Sequence, residues 1–526
     1  MLSTSTDTLI SLIKLMSKSE KRNFKLFAGR LSDTMKDAKF MQLYDFIDKS
    51  PTYSDELAFQ KIKGIKKEQL SNLKNHLNKQ LLTSLSLQYS SHFPTAEVRE
   101  ALDHAYVLYQ KGMYAAALKL LEKARKKAEK INANILLLEI IEFEKKIESQ
   151  DISSNHINKI EMLMSLSEEA QKSVNQSVEF TNLALQLDAH LMKLGMARNK
   201  EDYKAIQSFF KQNLPEHKIE ELSFNEKITL YNSLVWYNHI THDFLMCYRY
   251  AQKWVDLFDQ FPKMKEVDVE MYLKGIHNLL LSLIHIRHHA KYSEVLSLLE
   301  NVDVTKYNSR NVLLLKDLYL YTALIDKYYW EGTFDEGLEI VPQVEAFIGD
   351  AVNRIEDQRV VVLNYKIACL YFGAGKNKDA IRYLNKVIQY KDQSFREDIQ
   401  CFARILNLIA HFELGNDDLV EYQIKSVYRF LIKMNDLHGV QIEILNFLRK
   451  LPLESLNSMD NAFQDLLDKL ILLSEEKFEK RPFLYLDIIS WLEAKIKKSN
   501  VQKVIRDKFL EEQTTGKPIY FPVKKR

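Results

Sequence analysis

Gly332-Thr333-Phe334, followed by Gly375-Lys376-Asn377 and Gly415-Asn416-Asp417, decides how this chain folds. Each is a small or polar turn between two helix-length amphipathic segments, and the successive turns lie 43 and 40 residues apart. Toward the N-terminus, Ala290-Lys291-Tyr292 places its aromatic 42 residues before Phe334, and Gly112-Met113-Tyr114 repeats the pattern. Phe244 and Tyr203 are weaker anchors; Tyr203 lies 89 residues after Tyr114, two periods on. Self-similarity at 20 to 50 residues marks helical hairpins that cannot bury their apolar faces alone and must stack on their neighbours.

Composition agrees. Glycine (13) and proline (9) make about 4% of 526 residues, against about 12% in average usage, so long helices with short turns are expected. Basic residues (74) nearly balance acidic ones (71), for a formal charge of +3, and a global attraction to nucleic acid or membrane is not implied. The surplus is local: residues 1–90 hold 15 Lys or Arg against 9 Asp or Glu. Cys247, Cys369 and Cys401 lack the paired spacing of a disulfide framework, which fits a reducing, cytoplasmic setting. Met1–Arg22 does not read as a leader peptide, and no apolar run is long enough for a membrane span.

Four segments are expected: a basic helical module over 1–92, helix pairs over 95–450, a helical cap over 453–513 and an extended basic tail over 514–526. Pro94 marks the first boundary. In the module, Ser19 reads as a helix N-cap. Among the pairs, separate helices are expected over 155–172 and 175–196, Pro215 and Pro262 follow helix ends, and Pro342 predicts a break within its helix. After Pro452, helices are expected near 456–477, 482–498 and 501–512.

Aligning the turn aromatics brings out a resemblance to tetratricopeptide repeats. Ala105, Ala117 and Ala124 occupy the family's small positions around Gly112 and Tyr114, and Ala368 and Ala380 do so around Gly375, with Tyr371 at the large aromatic position. Around Gly332, Tyr321, Leu324 and Tyr328 match the first helix and Gly337 takes the small position. The match covers about residues 97–450 and departs from the family in its period, near 43 rather than 34, and in Cys247 and Val295 at small positions. It is similar to long-repeat relatives found in regulatory proteins. The resemblance implies a right-handed α-solenoid of about eight helix pairs in an all-α chain, with first helices lining a concave groove.

The groove-facing positions so implied are Tyr106 and Tyr109 in the first pair, then Asn232, Trp236 and His239 before the 244 turn. They continue with His277, Arg287 and His288, with Tyr319, Asp326, Tyr329 and Trp330, and with Tyr365 and Phe372. Aromatic side chains with few charges are the composition of binding hot spots. The family's chaperone-binding set of Lys and Asn residues is not evident.

Signals for chemistry are weak. Gly373-Ala374-Gly375-Lys376 lacks the spacing, the preceding strand and the Ser or Thr of a phosphate loop. His285, His288 and His289 have helix-face spacing, and His239 neighbours His242 and Asp243, but no positioned acidic base accompanies them. They read as solvated or groove-lining side chains, and no catalytic residue, metal or cofactor is expected.

In the basic module, residues 56–63, the turn Gly64-Ile65-Lys66 and the helix from Lys67 look like a helix-turn-helix, and the module as a whole reads as winged-helix-like. Lys66, Lys67, Ser71, Asn72, Lys74 and Asn75 are its candidate nucleic-acid contacts. The long second helix and Gln60 at a usually small position favour a structural Lys-rich face instead. The leading expectation is therefore a non-enzymatic cytoplasmic scaffold that binds a peptide or partner protein in the groove. The alternative is a transcriptional or RNA-associated regulator with a nucleic-acid-binding N-terminal module and a tetratricopeptide-like sensor domain.

Overall fold

Most of the described glycines and prolines fall at or near helix ends, Gly275 and Gly337 being within helices. The computed structural model describes residues 5–31, 39–62, 64–89, 93–150, 157–307, 309–351, 355–390, 396–434, 437–450, 456–476, 478–479, 482–483 and 487–516. Those residues are helical or in turns, with no strand among them. The expected turn at Asp151–Ser153, the segment Ser90–His92, Pro452 and the tail beyond Gly516 lie outside them. The chain divides into two units, Met1–Ala170 and Gln171–Arg526.

In the first unit, α1 (Ser5–Leu15), α2 (Lys18–Leu31), α3 (Lys39–Lys49), α4 (Asp55–Lys61) and α5 (Lys67–Tyr89) share a core from Leu9 to Leu81. Phe24 and Tyr44 are wholly buried there, with ring centroids 4.8 Å apart. The α2 cap is Ser17 rather than the expected Ser19: the Glu20 N–H donates to Ser17 Oγ, and the Ser17 N–H donates to the Glu20 carboxylate at 2.6 Å. This reciprocal box satisfies two orphan amides, and its spelling, Ser-x-x-Glu, stands in the sequence two residues earlier than the serine chosen. Described residues of the module contain no strand, so a wing is not seen in them.

Three helices follow: α6 (Pro94–Gln110), α7 (Tyr114–Lys130) and α8 (Asn134–Glu148). Ala105, Ala117 and Ala124 are buried where α6 and α7 meet. Next, α9 (Ile157–Leu194) runs unbroken for 38 residues, where two helices were expected. No glycine or proline interrupts it, and Ser173, which sat at the expected break, donates its hydroxyl to Glu226 at 2.6 Å instead of capping a helix. The boundary between the units falls inside this helix.

The second unit continues with α10 (Lys200–Asn213), α11 (Phe224–Ile240), α12 (Phe244–Gln260) and the short α13 (Met264–Val267). Beyond them come α14 (Val269–His285), α15 (His289–Asn301), α16 (Arg310–Glu331), α17 (Phe334–Glu339) and α18 (Val341–Asp350). The series then runs through α19 (Asp357–Gly373), α20 (Asn377–Ile388), α21 (Glu397–Glu413), α22 (Asp417–Lys433) and α23 (Gly439–Lys450). From α11 to α23 most helices adjacent in sequence pack together, and α14 also meets α16, α16 meets α19 and α19 meets α21. One apolar core runs through this series from Phe224 to Phe509.

Left-handed residues make the tight turns: His242, Arg287, Gly332, Gly375 and Gly415. The 290 turn therefore lies three residues earlier than its sequence anchor, at Arg287. Gly332 has a second constraint, because a Cβ there would come within 2.6 Å of the Arg506 backbone nitrogen. Pro342 does divide its segment: α17 stops at Glu339 and α18 starts at Val341 with Pro in its first turn.

The last helices are α24 (Leu456–Ser474), α25 (Ile488–Ile496) and α26 (Val501–Thr515). They do more than cap the series. While α24 covers α23, α26 returns to α16. Arg506 donates to the Glu331 carbonyl at 3.2 Å, Arg287 pairs with Glu512 at 2.8 Å, and the Phe509 ring meets His289 at 4.8 Å. This return explains the close approach at Gly332.

Candidate functional site: an aromatic cavity with unpartnered polar groups

Three successive first helices turn the same face to one space. On α14 the face carries Lys274, His277, Asn278, Leu281 and His285; on α16 it carries Tyr319, Thr322, Asp326 and Tyr329; on α19 it carries Arg359, Val362, Tyr365, Lys366 and Cys369. Steps of three, four and seven residues keep each set on one side of its helix. The C-terminal part of α9 adds Asp188, Leu191 and Met192, α11 adds Trp236 and His239, and the start of α21 adds Arg396 and Ile399. Together they enclose a cavity of about 280 Å³, at the lower edge of the 300–1,000 Å³ common for small-ligand sites.

The walls are aromatic. His277 stacks on Tyr319 with centroids 4.3 Å apart and planes 12° from parallel, and His285 stacks on Phe244 at 4.3 Å. His239 lies edge-on to Trp236 at 6.0 Å and 5.5 Å from His285. Burial holds His239 and His277 neutral, pushing each down to about 3, helped by nearby cations. His285 is likewise pushed well below its usual value, first by burial and then by His239.

Most cavity charges are compensated. Lys366 pairs with Asp326. Arg359 reaches Glu356 at 3.2 Å and lies 5.7 Å from the Tyr319 ring centroid. Arg396 makes a two-point contact with Asp398 at 2.9 and 2.8 Å. Lys274 and Asp188 differ, having no hydrogen bond or ion pair among the described residues. Burial lowers Lys274 and raises Asp188, and each is the strongest opposing charge felt by the other. Asn278 is 1% exposed, and among the described residues neither its amide nitrogen nor its amide oxygen has a hydrogen-bond partner, nor does the Trp236 N–H. Buried polar groups are normally satisfied, so groups that are not so ask for an explanation.

Of the groove residues expected from sequence, Trp236, His239, His277, Tyr319, Asp326, Tyr329 and Tyr365 line this cavity. Others do not. Asn232 sits one turn before Trp236 and is buried. Trp330, one residue past Tyr329, is buried against Tyr292 and Phe509. Arg287 lies beyond the end of α14, 5.5 Å from the Trp330 ring and paired with Glu512. Phe372 lies past Cys369 in a packing crevice with Leu406 and Ile505. Tyr106 and Tyr109 belong to the first unit, where both meet Phe143. For Trp330 the difference is one of register: one residue rotates a helical side chain by about 100°, out of the cavity face; the others lie a turn away, past a helix end or in the first unit.

The histidine cluster is corrected likewise. His285 ends α14, His288 is exposed and caps α15, and His289 meets Glu331 at 2.8 Å, so the three share no helix face. No group of three or more His, Cys, Asp or Glu side chains among the described residues is placed to hold a metal ion. The three cysteines are buried and unpaired, and burial pushes Cys369 up to about 12. The sequence reading missed Asp188, Lys274, Asn278, Arg359, Lys366 and Arg396. For two of them a signal was present: shifting the α16 positions 319, 322, 326 and 329 by 40 residues gives 359, 362, 366 and 369 on α19, which includes Arg359 and Lys366.

In the N-terminal module, Ser71, Asn72, Asn75 and Lys66 are exposed. Lys74 is not available to a phosphate: it is 9% exposed, donates to Asp55 at 2.7 Å and lies over Tyr53. The Lys67 side chain lies outside the described residues.

The chain matches no family model, no curated protein and no solved structure. No helix among the described residues is long and apolar enough to cross a membrane.

Proposed function

We propose that this protein is a non-enzymatic binding scaffold whose helix series takes up a peptide or a partner segment in the aromatic cavity between α9, α11, α14, α16, α19 and α21. The observation that carries the reading is the convergence of one face from three consecutive first helices on a single cavity whose walls hold unpartnered polar atoms. Flat aromatic walls supply contact area at small entropic cost, and a few placed polar groups supply orientation. The resemblance to long tetratricopeptide repeats favours the same reading, as does the concentration of cavity side chains on first helices.

A library of random peptides selected on the immobilised full chain tests it. Enriched peptides should lose at least tenfold in affinity on Trp236→Ala, with a smaller fall in melting temperature than Trp330→Ala causes. Equal binding by the variant would remove the cavity as the site. Trp330→Ala is the contrasting control: it should lower the melting temperature, because Trp330 belongs to the core.

A further inference from the structure

Two charges and one amide in the cavity make no hydrogen bond or ion pair among the described residues, Asp188 and Lys274 feeling each other only across the space, and their chemistry defines what would complement them. Asp188 offers an anion, Lys274 a cation and Asn278 both an amide donor and an amide acceptor. Lys274 and Asn278 stand one turn apart on α14, and Asp188 faces the same space from α9. A ligand bearing only an anion would answer Lys274 and leave Asp188 desolvated; one bearing only a cation would do the reverse. A buried charge without a partner is costly. A ligand with both charges and an amide between them answers all three groups, since the two halves of a peptide bond match the two ends of a carboxamide.

We propose that the cavity is a site for a short peptide with both termini free, of about dipeptide size. Its ammonium faces Asp188, its peptide bond meets Asn278, its carboxylate faces Lys274, and an aromatic or aliphatic side chain lies against Trp236 and the stacked His277–Tyr319 pair. The remaining cavity cations are occupied: Lys366 by Asp326, Arg359 by Glu356 and Arg396 by Asp398. Among the described residues that leaves Lys274 as the cavity cation without an ion pair, able to take a terminal carboxylate. The small volume sets the length, because a longer chain held through both termini would not be enclosed. The inference rests on the binding reading above and adds to it the chemical class of the ligand.

Calorimetric titration of the full chain with phenylalanyl-leucine and leucyl-phenylalanine, each free, N-acetylated or C-amidated, tests this directly. Free phenylalanine and leucine form the comparison arm. The expected result is binding of a free dipeptide, at least tenfold weaker binding on blocking either end, and weaker binding still of the single amino acids. Asp188→Asn should erase the difference between free and acetylated peptide while keeping that between free and amidated peptide; Lys274→Gln should do the opposite. Asn278→Leu should weaken the dipeptides more than the amino acids. Blocked peptides that bind as well as free ones, amino acids that bind as well as dipeptides, or no binding at millimolar concentration would each overturn the proposal. If long peptides from the library still bound in a Trp236-dependent way, the scaffold reading would stand while the free-peptide site fell; if neither bound, both would fall.

Discussion

His277 and His239 give the second unit an acid-sensitive spot. Both rings border the cavity and are held down to about 3 by burial, with Arg359, Lys366 and Lys274 acting on His277, and His242 and Arg396 on His239 against Asp398. In the unfolded chain each histidine titrates near 6.5. Above that value both states are neutral and the stability is fully present. Between about 6.5 and 3 the unfolded chain binds protons that the folded chain refuses, so stability falls with falling pH. Relaxation of the folded chain around a charged ring softens the penalty, and a loss on the order of 1 kcal/mol per ring by pH 5 is expected. Urea unfolding at pH 7.5 and pH 5 should show the decline, and the double variant His239→Gln, His277→Gln should flatten it. A slope unchanged in that variant would place the acid sensitivity elsewhere. These residues were legible as cavity residues, because aromatic and histidine positions at helical spacing stand out in a sequence. Lys274 and Asn278 were not, because Lys and Asn on a helix ordinarily face water and only the neighbouring first helices show otherwise.

Local signals set the elements; contacts between distant elements need the folded chain. Turns at Gly332, Gly375 and Gly415 were readable because a left-handed residue favours glycine. The turn at Arg287 was misplaced because a non-glycine took that conformation. The unbroken α9 was missed because Ser and Asn mid-helix resemble a cap, and only the donation from Ser173 to Glu226 tells them apart. The return of α26 to α16 has no local signature at all. It is held by the half-buried pair of Arg287 and Glu512, whose side chains are 21% and 6% exposed. Glu512→Gln leaves the guanidinium with a neutral partner, and a cost of about 2 kcal/mol is expected, below that of breaking a fully buried pair. Amide exchange should quicken over residues 501–515 and at the Gly332 turn, while α19 and α20 keep their protection. Uniform quickening across the second unit would mean that the returning helix is integral to the whole series rather than a late, local addition.

At the scale of the molecule, the two units have separate cores, and the separation is itself testable. The N-terminal core is built from Leu9 to Leu81, whereas the long core of the second unit runs from Phe224 to Phe509. The basic composition of residues 1–90 made the N-terminal module visible in sequence, but the division at residue 170 falls inside a helix, where no composition shift or breaker marks it. Cooperativity follows shared buried surface rather than chain continuity. Phe24 is fully buried against Tyr44, and truncating a core phenylalanine costs about 3–5 kcal/mol. In Phe24→Ala, calorimetry of the full chain should therefore show a transition moved to lower temperature while another stays in place, and tyrosine near-ultraviolet signal should be lost first. All four tryptophans lie in the second unit, Trp254, Trp330 and Trp491 in its long core and Trp236 on α11, so tryptophan fluorescence reports that unit and should keep its midpoint. If the fluorescence midpoint fell together with the first transition, the two cores would unfold as one, and the N-terminal module would be a structural part of the binding unit rather than an independently folding one.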